Sequence, residues 1–222
     1  MGKRLNLREL LNFYDYKVPS SRTHASAVNA VLGEDLAVAL LLHYLKGIGL
    51  EVIAVDGVPK QGTQRGYRLD KWIAVQSVTE PIIYQVEIKN WSAHSLGGKV
   101  VKLDADEDHM REFRLQRWRH QFNELKQEPS QEKARKVLTQ MRVPSEFSNY
   151  KQEALLCFWE PLHHTGELEA FFEVDVQSES FKKLKVFSMS NYVTQLLKST
   201  ETLDVEMIDA DARIDWLNKL YS

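Results

Sequence analysis

The chain has 222 residues, 43% of them hydrophobic and 27% charged, with 29 Lys+Arg against 31 Asp+Glu for a formal net charge of -2. These values exclude wholesale disorder, and the length suits one domain, or one with a small appendage, that buries a core without disulfide staples. A net charge near zero counts against a protein that grips nucleic acid by bulk positive charge.

Residues 1–20 are mixed, with Leu5, Leu7, Leu10 and Leu11 on a short predicted helix. Thr23–Lys46 has helical spacing of apolar residues and stops at Gly47 and Gly49. Its stretch Leu36–Leu42 is apolar all round, which predicts deep burial. That run is far shorter than the ~20 residues a membrane-spanning helix needs, so no membrane association is expected. A single cysteine, Cys157, and the lack of a signal-like N-terminus fit a reducing cytoplasm.

Three strand-like runs follow: Leu50–Val55, Tyr67–Val78 and Pro81–Trp91, the last two joined around Thr79-Glu80-Pro81 as a hairpin. Residues 92–105 read as a loop and Asp106–Lys126 as a helix opened by acids. Ala154–Trp159 is a short buried strand. Leu168–Val176 and Leu184–Met189 are further strands, and Asn191–Lys198 and Asp209–Tyr221 are closing helices. The order predicts an α/β core, in the sequence helix, three strands, helix, strand, over residues 1–160. A C-terminal α+β extension, 161–222, packs on the same domain.

Chemistry concentrates in Gln85-Val86-Glu87-Ile88-Lys89-Asn90-Trp91. On a strand, Glu87 and Lys89 share one face while Val86 and Ile88 take the other. Asp70 lies just before the apolar run that starts at Trp72. If the hairpin brings it near Glu87, two carboxylates converge beside one ammonium. Such a pair, completed by waters, suits Mg²⁺. The metal could polarise a phosphoryl oxygen, and the lysine could orient a water. Glu34, just before the apolar stretch of the first long helix, could join from the helix side. The same residues are also compatible with plain ion pairs: Glu87 with Lys89 on an exposed face, and Asp70 with Arg68 or Lys71.

Glu34, Asp70 and Glu87-Ile88-Lys89, in this element order, resemble the PD-(D/E)xK (restriction-endonuclease-like) nuclease superfamily. The resemblance covers roughly residues 24–160 and looks closest to the nuclease-related branch. Leu69 stands where the name-giving proline would be. The resemblance implies that Asp70 and Glu87 bind Mg²⁺ or Mn²⁺ with the carbonyl of Ile88. It implies Lys89 as the catalytic lysine, Glu34 as an accessory ligand, and hydrolysis of DNA phosphodiesters as the activity. The alternative is a catalytically silent nuclease-like domain with a binding or assembly role.

Residues 111–142 carry nine basic residues against four acidic ones, a balance of +5, and residues 153–222 carry thirteen acidic against six basic, a balance of -7. The total therefore hides a basic segment. Arg111, Arg114 and Arg117, three apart, form a stripe that could contact DNA phosphates. Gln116 and Gln121 on the same helix could assist. The acidic C-terminal part suits a homodimer contact or a protein partner better than a phosphate backbone. Asp104, Asp106 and Asp108 alternate like a calcium loop, but His109 and Leu115 stand where that loop needs Gly and Glu, so they read as helix caps.

Overall fold

The apolar run of the first long helix organises the whole chain. In the computed structural model, which describes residues 3–14, 22–55, 70–76, 80–89, 112, 116, 135–159 and 167–220, this helix is α2, Arg22–Gly47. It kinks at Gly33 (φ 11°, ψ -107°), and glycine is a usual place for a helix to bend. Beyond the kink, Leu36, Ala37, Leu40, Leu41 and Leu45 are buried. The helix ends as a glycine stop should. Gly49 takes φ 84°, its N–H donates to Lys46 O at 2.9 Å, and the Leu50 N–H reaches back to Leu45 O at 3.1 Å. This is the Schellman arrangement, with Leu50 packed against the same core that holds Leu45.

A six-stranded mixed sheet follows, in the order β2-β3-β4-β5-β7-β6. Its strands are β2 (Glu51–Val55), β3 (Lys71–Gln76), β4 (Ile82–Lys89), β5 (Lys151–Phe158), β6 (Phe171–Asp175) and β7 (Lys183–Ser188). The first three run antiparallel, and β4–β5 and β5–β7 are parallel. The antiparallel pairing of β3 and β4 is the predicted hairpin. Strand β6 returns antiparallel on β7, so the C-terminal part extends the same sheet.

Both faces of the sheet are covered, which is why its central strands read as apolar runs. On one face Ile73, Val75, Tyr84, Val86, Ile88, Leu155, Cys157 and Phe187 pack with α2, with α1 (Leu7–Tyr14) and with α4 (Met189–Leu196). On the other, Ala154, Leu156, Phe158, Leu184 and Val186 meet Val137 and Leu138 of the short α3 (Arg135–Leu138). Trp72, Ala74 and Ile83 meet Phe147 from the 3-10 turn Ser145–Phe147 on that same side. No described helix is long and apolar enough to cross a membrane.

Two features depart from the sequence-based expectation. Residues Lys3–Asn6 form a strand, β1, rather than the start of a helix, and they pair antiparallel with β8 (Thr202–Val205). Neither strand was predicted. Each is four residues long and finds its partner about two hundred positions away. The exposed Arg4–Asp204 pair, at 2.9 Å, adds little to this ribbon, as solvated ion pairs do. The chain then closes with α5, Ile208–Leu220.

An aromatic cluster of Tyr44, Phe171, Phe187 and Tyr192 joins α2 and α4 to the sheet. At its edge His43 Nδ1 and Tyr192 Oη lie 2.6 Å apart. Burial pushes the Tyr192 phenol up to about 12. Burial, then the Lys46 charge, hold His43 below its ordinary 6.5. The sign follows from linkage: as pH falls below that value the unfolded chain takes up a proton before the folded one does, and stability is lost. The wild type should therefore lose more thermal stability between pH 7 and 5 than His43→Gln. Parallel slopes of Tm against pH in the two proteins would show that His43 is not the group responsible.

Candidate metal and nuclease site

The site is built on the β3–β4 hairpin. Lys71 lies opposite Val86 as the last pair of this ladder, so Asp70 and Glu87 are the residues that follow its end on the two strands. Asp70 is the bend residue that precedes β3, and it is half-buried. Its Oδ2 accepts the Ile88 N–H at 2.6 Å. A carboxylate in place of the next backbone acceptor thus closes the end of the ladder, in a charge-assisted bond. Glu87 is 1% exposed. By strand alternation it belongs to the face of Ile83 and Gln85, while Val86 and Ile88 turn to the helical core. The Asp70 charge reaches across the sheet: together with burial, the larger effect, it raises the pKa of the Cys157 thiol, whose residue lies in register with Ile88. Cys157 is an inert core residue.

Lys89 is the last residue of β4, in backbone register with Phe158; its side chain lies outside the described residues. Glu34 is exposed on α2 rather than buried. The acid of that helix that turns inward is its neighbour, Asp35. The Asp35 Oδ2 accepts the Ala210 N–H at 2.8 Å and so caps the first turn of α5. Burial raises its pKa, while the Ala210 bond, Lys71 and Arg213 act to lower it. The helix α2 lies on the Val86–Ile88 face of the sheet, opposite the face of Glu87.

Arg111, Arg114, Arg117, Gln121 and the Asp104–Asp108 run lie outside the described residues. Of the predicted helix 106–126, Glu112 and Gln116 are described, both helical, with Gln116 Nε2 donating to Glu112 Oε1 at 3.2 Å. Comparison with protein-family models, curated proteins and solved structures finds no match.

Sequence reasoning passed over Gln85. It is 0% exposed, two residues before Glu87 and on its face. Its Nε2 donates to Val137 O and Thr139 O at 2.9 and 2.8 Å. Its Oε1 accepts from Met141 N and Gln152 Nε2 at 2.9 and 2.8 Å. All four hydrogen-bonding positions of one amide are used, and they stitch residues 137–141 to the sheet beside Glu87. The available signal was a lone amide inside the run Ile82-Ile83-Tyr84-Gln85-Val86, since a buried polar group requires partners.

A groove of about 490 Å³, lined among others by Lys151, Glu153, Glu173, Lys182, Lys183 and Lys185, lies at the starts of β5 and β7, the end of the sheet away from Glu87. Its charges largely answer one another. Glu173 pairs with Lys183 and Lys185, which hold its carboxyl below the usual range, and Lys151 meets Glu153 at 3.0 Å.

As a cation site, Asp70 and Glu87 supply two hard oxygen donors at one sheet end. That fits Mg²⁺ or Mn²⁺, which settle for one or two carboxylates and keep much of their water. Among the described residues no group of three His, Cys, Asp or Glu side chains converges to hold a metal.

Proposed function

We propose that this chain is a metal-dependent nuclease of the PD-(D/E)xK kind, hydrolysing DNA phosphodiester bonds. The observation that carries the reading is the Asp70–Ile88 bond, which holds one carboxylate at the backbone of the Glu87-Ile88-Lys89 triplet. The element order supports it: a helix, three antiparallel strands, helical residues at 112 and 116, then a strand parallel to the third.

In this reading Asp70 and Glu87 bind a divalent cation, with the carbonyl of Ile88 beside them. When bound, the cation polarises the scissile phosphate and lowers the pKa of water. Lys89 orients the attacking water and offsets developing charge. Arg111, Arg114 and Arg117 contact the DNA backbone. Purified protein should cut DNA with Mg²⁺ or Mn²⁺ and stop when the metal is chelated. Lys89→Ala should lower the rate by about 10²-fold or more, the scale of losing one preorganised charge-stabilising group. A variant that cuts as fast as wild type would remove Lys89 from the mechanism.

The exposure of Glu34 favours a second reading, a catalytically silent domain of the same shape with a binding role. Calorimetry separates the two: the nuclease reading requires heat of Mn²⁺ binding, and the silent one requires none.

A further inference from the structure

We propose that Trp72 is a positioning residue of the cation site, its indole N–H donating to the Glu87 carboxylate when that carboxylate holds a divalent cation. The inference rests on the nuclease reading and adds to it a residue outside the Asp70 and Glu87-Ile88-Lys89 pattern.

Trp72 is 0% exposed and among the largest side chains of the core. Its Nε1–H has no hydrogen-bond acceptor among the described residues. A buried indole usually finds one, and an N–H kept from water without a partner is costly. Packing alone does not account for the choice. The ring sits with Ala74, Ile83 and Phe147, and Val55, Met141 and Val143 pack against the same cluster. A phenyl ring would suit those neighbours and bring no donor to satisfy. A buried donor in this state calls for a reason beyond packing.

The β3–β4 ladder places that donor beside the carboxylates. Trp72 stands directly opposite Gln85. Glu87 lies two residues further along β4 on the same face, which makes it the diagonal neighbour of Trp72. Diagonal neighbours have backbones ~7–8 Å apart, within reach of an aromatic and a long side chain. Gln85 itself is taken: its Oε1 accepts from Met141 N and Gln152 Nε2, which fills both lone pairs. A carboxylate has about four acceptor positions, so Glu87 can hold a cation through one oxygen and receive the indole on the other. Carboxylates that bind metals are commonly held by such hydrogen bonds, which fix their orientation. An indole suits the task because it only donates. It carries no positive charge to repel the cation and no lone pair to compete for it.

Two measurements on the full chain test this: calorimetry with Mn²⁺ on wild type and Trp72→Phe, and nitrogen-15 spectra of the indole N–H groups with and without Mg²⁺. Trp72→Phe should melt cooperatively and bind Mn²⁺ about 10- to 100-fold more weakly, the loss expected when a group that orients a metal ligand is removed. The chain has five tryptophans, and the signal of Trp72 is the one missing from Trp72→Phe. In the wild type Mg²⁺ should move that signal downfield, as a new hydrogen bond to a carboxylate does. A ring that only fills space would not respond. A wild type that binds no Mn²⁺ overturns the nuclease reading and this inference with it. A wild type that binds Mn²⁺, with Trp72→Phe binding equally well or with the Trp72 signal unmoved by Mg²⁺, overturns the role of Trp72 and leaves the cation site standing.

Discussion

Asp70→Asn and Glu87→Gln are each expected to lower Mn²⁺ affinity and DNA cleavage by at least about 10²-fold, since even groups that only support a metal ligand cost 10- to 100-fold when lost. The fold should survive both changes. Asp70→Asn keeps a carbonyl oxygen that can accept the Ile88 N–H now bound at 2.6 Å, and Glu87→Gln keeps the volume of a side chain that is 1% exposed. Each substitution removes one negative charge from this end of the sheet, and the metal-free variants should still unfold in one cooperative transition. The wild type should gain stability with Mn²⁺ as RT ln(1 + [L]/Kd), and the variants should gain little. Thermal melts with and without Mn²⁺ read both effects at once. A full Mn²⁺-dependent shift in Asp70→Asn would remove Asp70 from the metal site.

The β3–β4 pairing that places Asp70 at the Ile88 N–H was legible in the sequence because it depends on local signals. Two β-rich runs separated by Thr79-Glu80-Pro81 force a hairpin, and the hairpin fixes which residues face each other. The buried helix was legible for a similar reason: an apolar run bounded by Gly47 and Gly49 has one simple fate. What depended on distant partners was hidden. Strand β1 is four residues long and exists because Thr202–Val205 pairs with it. Glu34 and Asp35 look equivalent in sequence. Which of them turns inward is decided by the Ala210 N–H at the start of α5, 175 positions away. Just before β3, which starts at Lys71, Asp70 is a bend that uses its side chain in place of the ladder.

Gln85→Leu is expected to cost about 3–5 kcal/mol, a large part of the roughly 5–15 kcal/mol that holds a typical domain together. Leucine fills nearly the same space, so the loss comes from polar groups and not from a cavity. The carbonyls of Val137 and Thr139, the Met141 N–H and one Gln152 bond all lose the amide that satisfies them. A buried group left without its partner costs about 1–3 kcal/mol, and the sum is trimmed by whatever water enters. Gln140 provides the contrast: its side chain is exposed and donates one bond, to Gln152 Oε1 at 2.9 Å. Gln140→Ala should therefore cost less than about 1 kcal/mol. Urea unfolding of the two variants measures both values, and equal midpoints would show that Gln85 is not the anchor. Hydrogen exchange adds the location. With the anchor gone, amides from 137 to 141 should exchange faster while β5 and β7 stay protected, because the substitution frees that stretch from the sheet without touching the strand ladder. The freed stretch, 137–141, is part of the C-terminal end of the basic segment 111–142. In the nuclease reading, Gln85 is thus the tether that fixes the DNA-binding segment to the strand carrying Glu87.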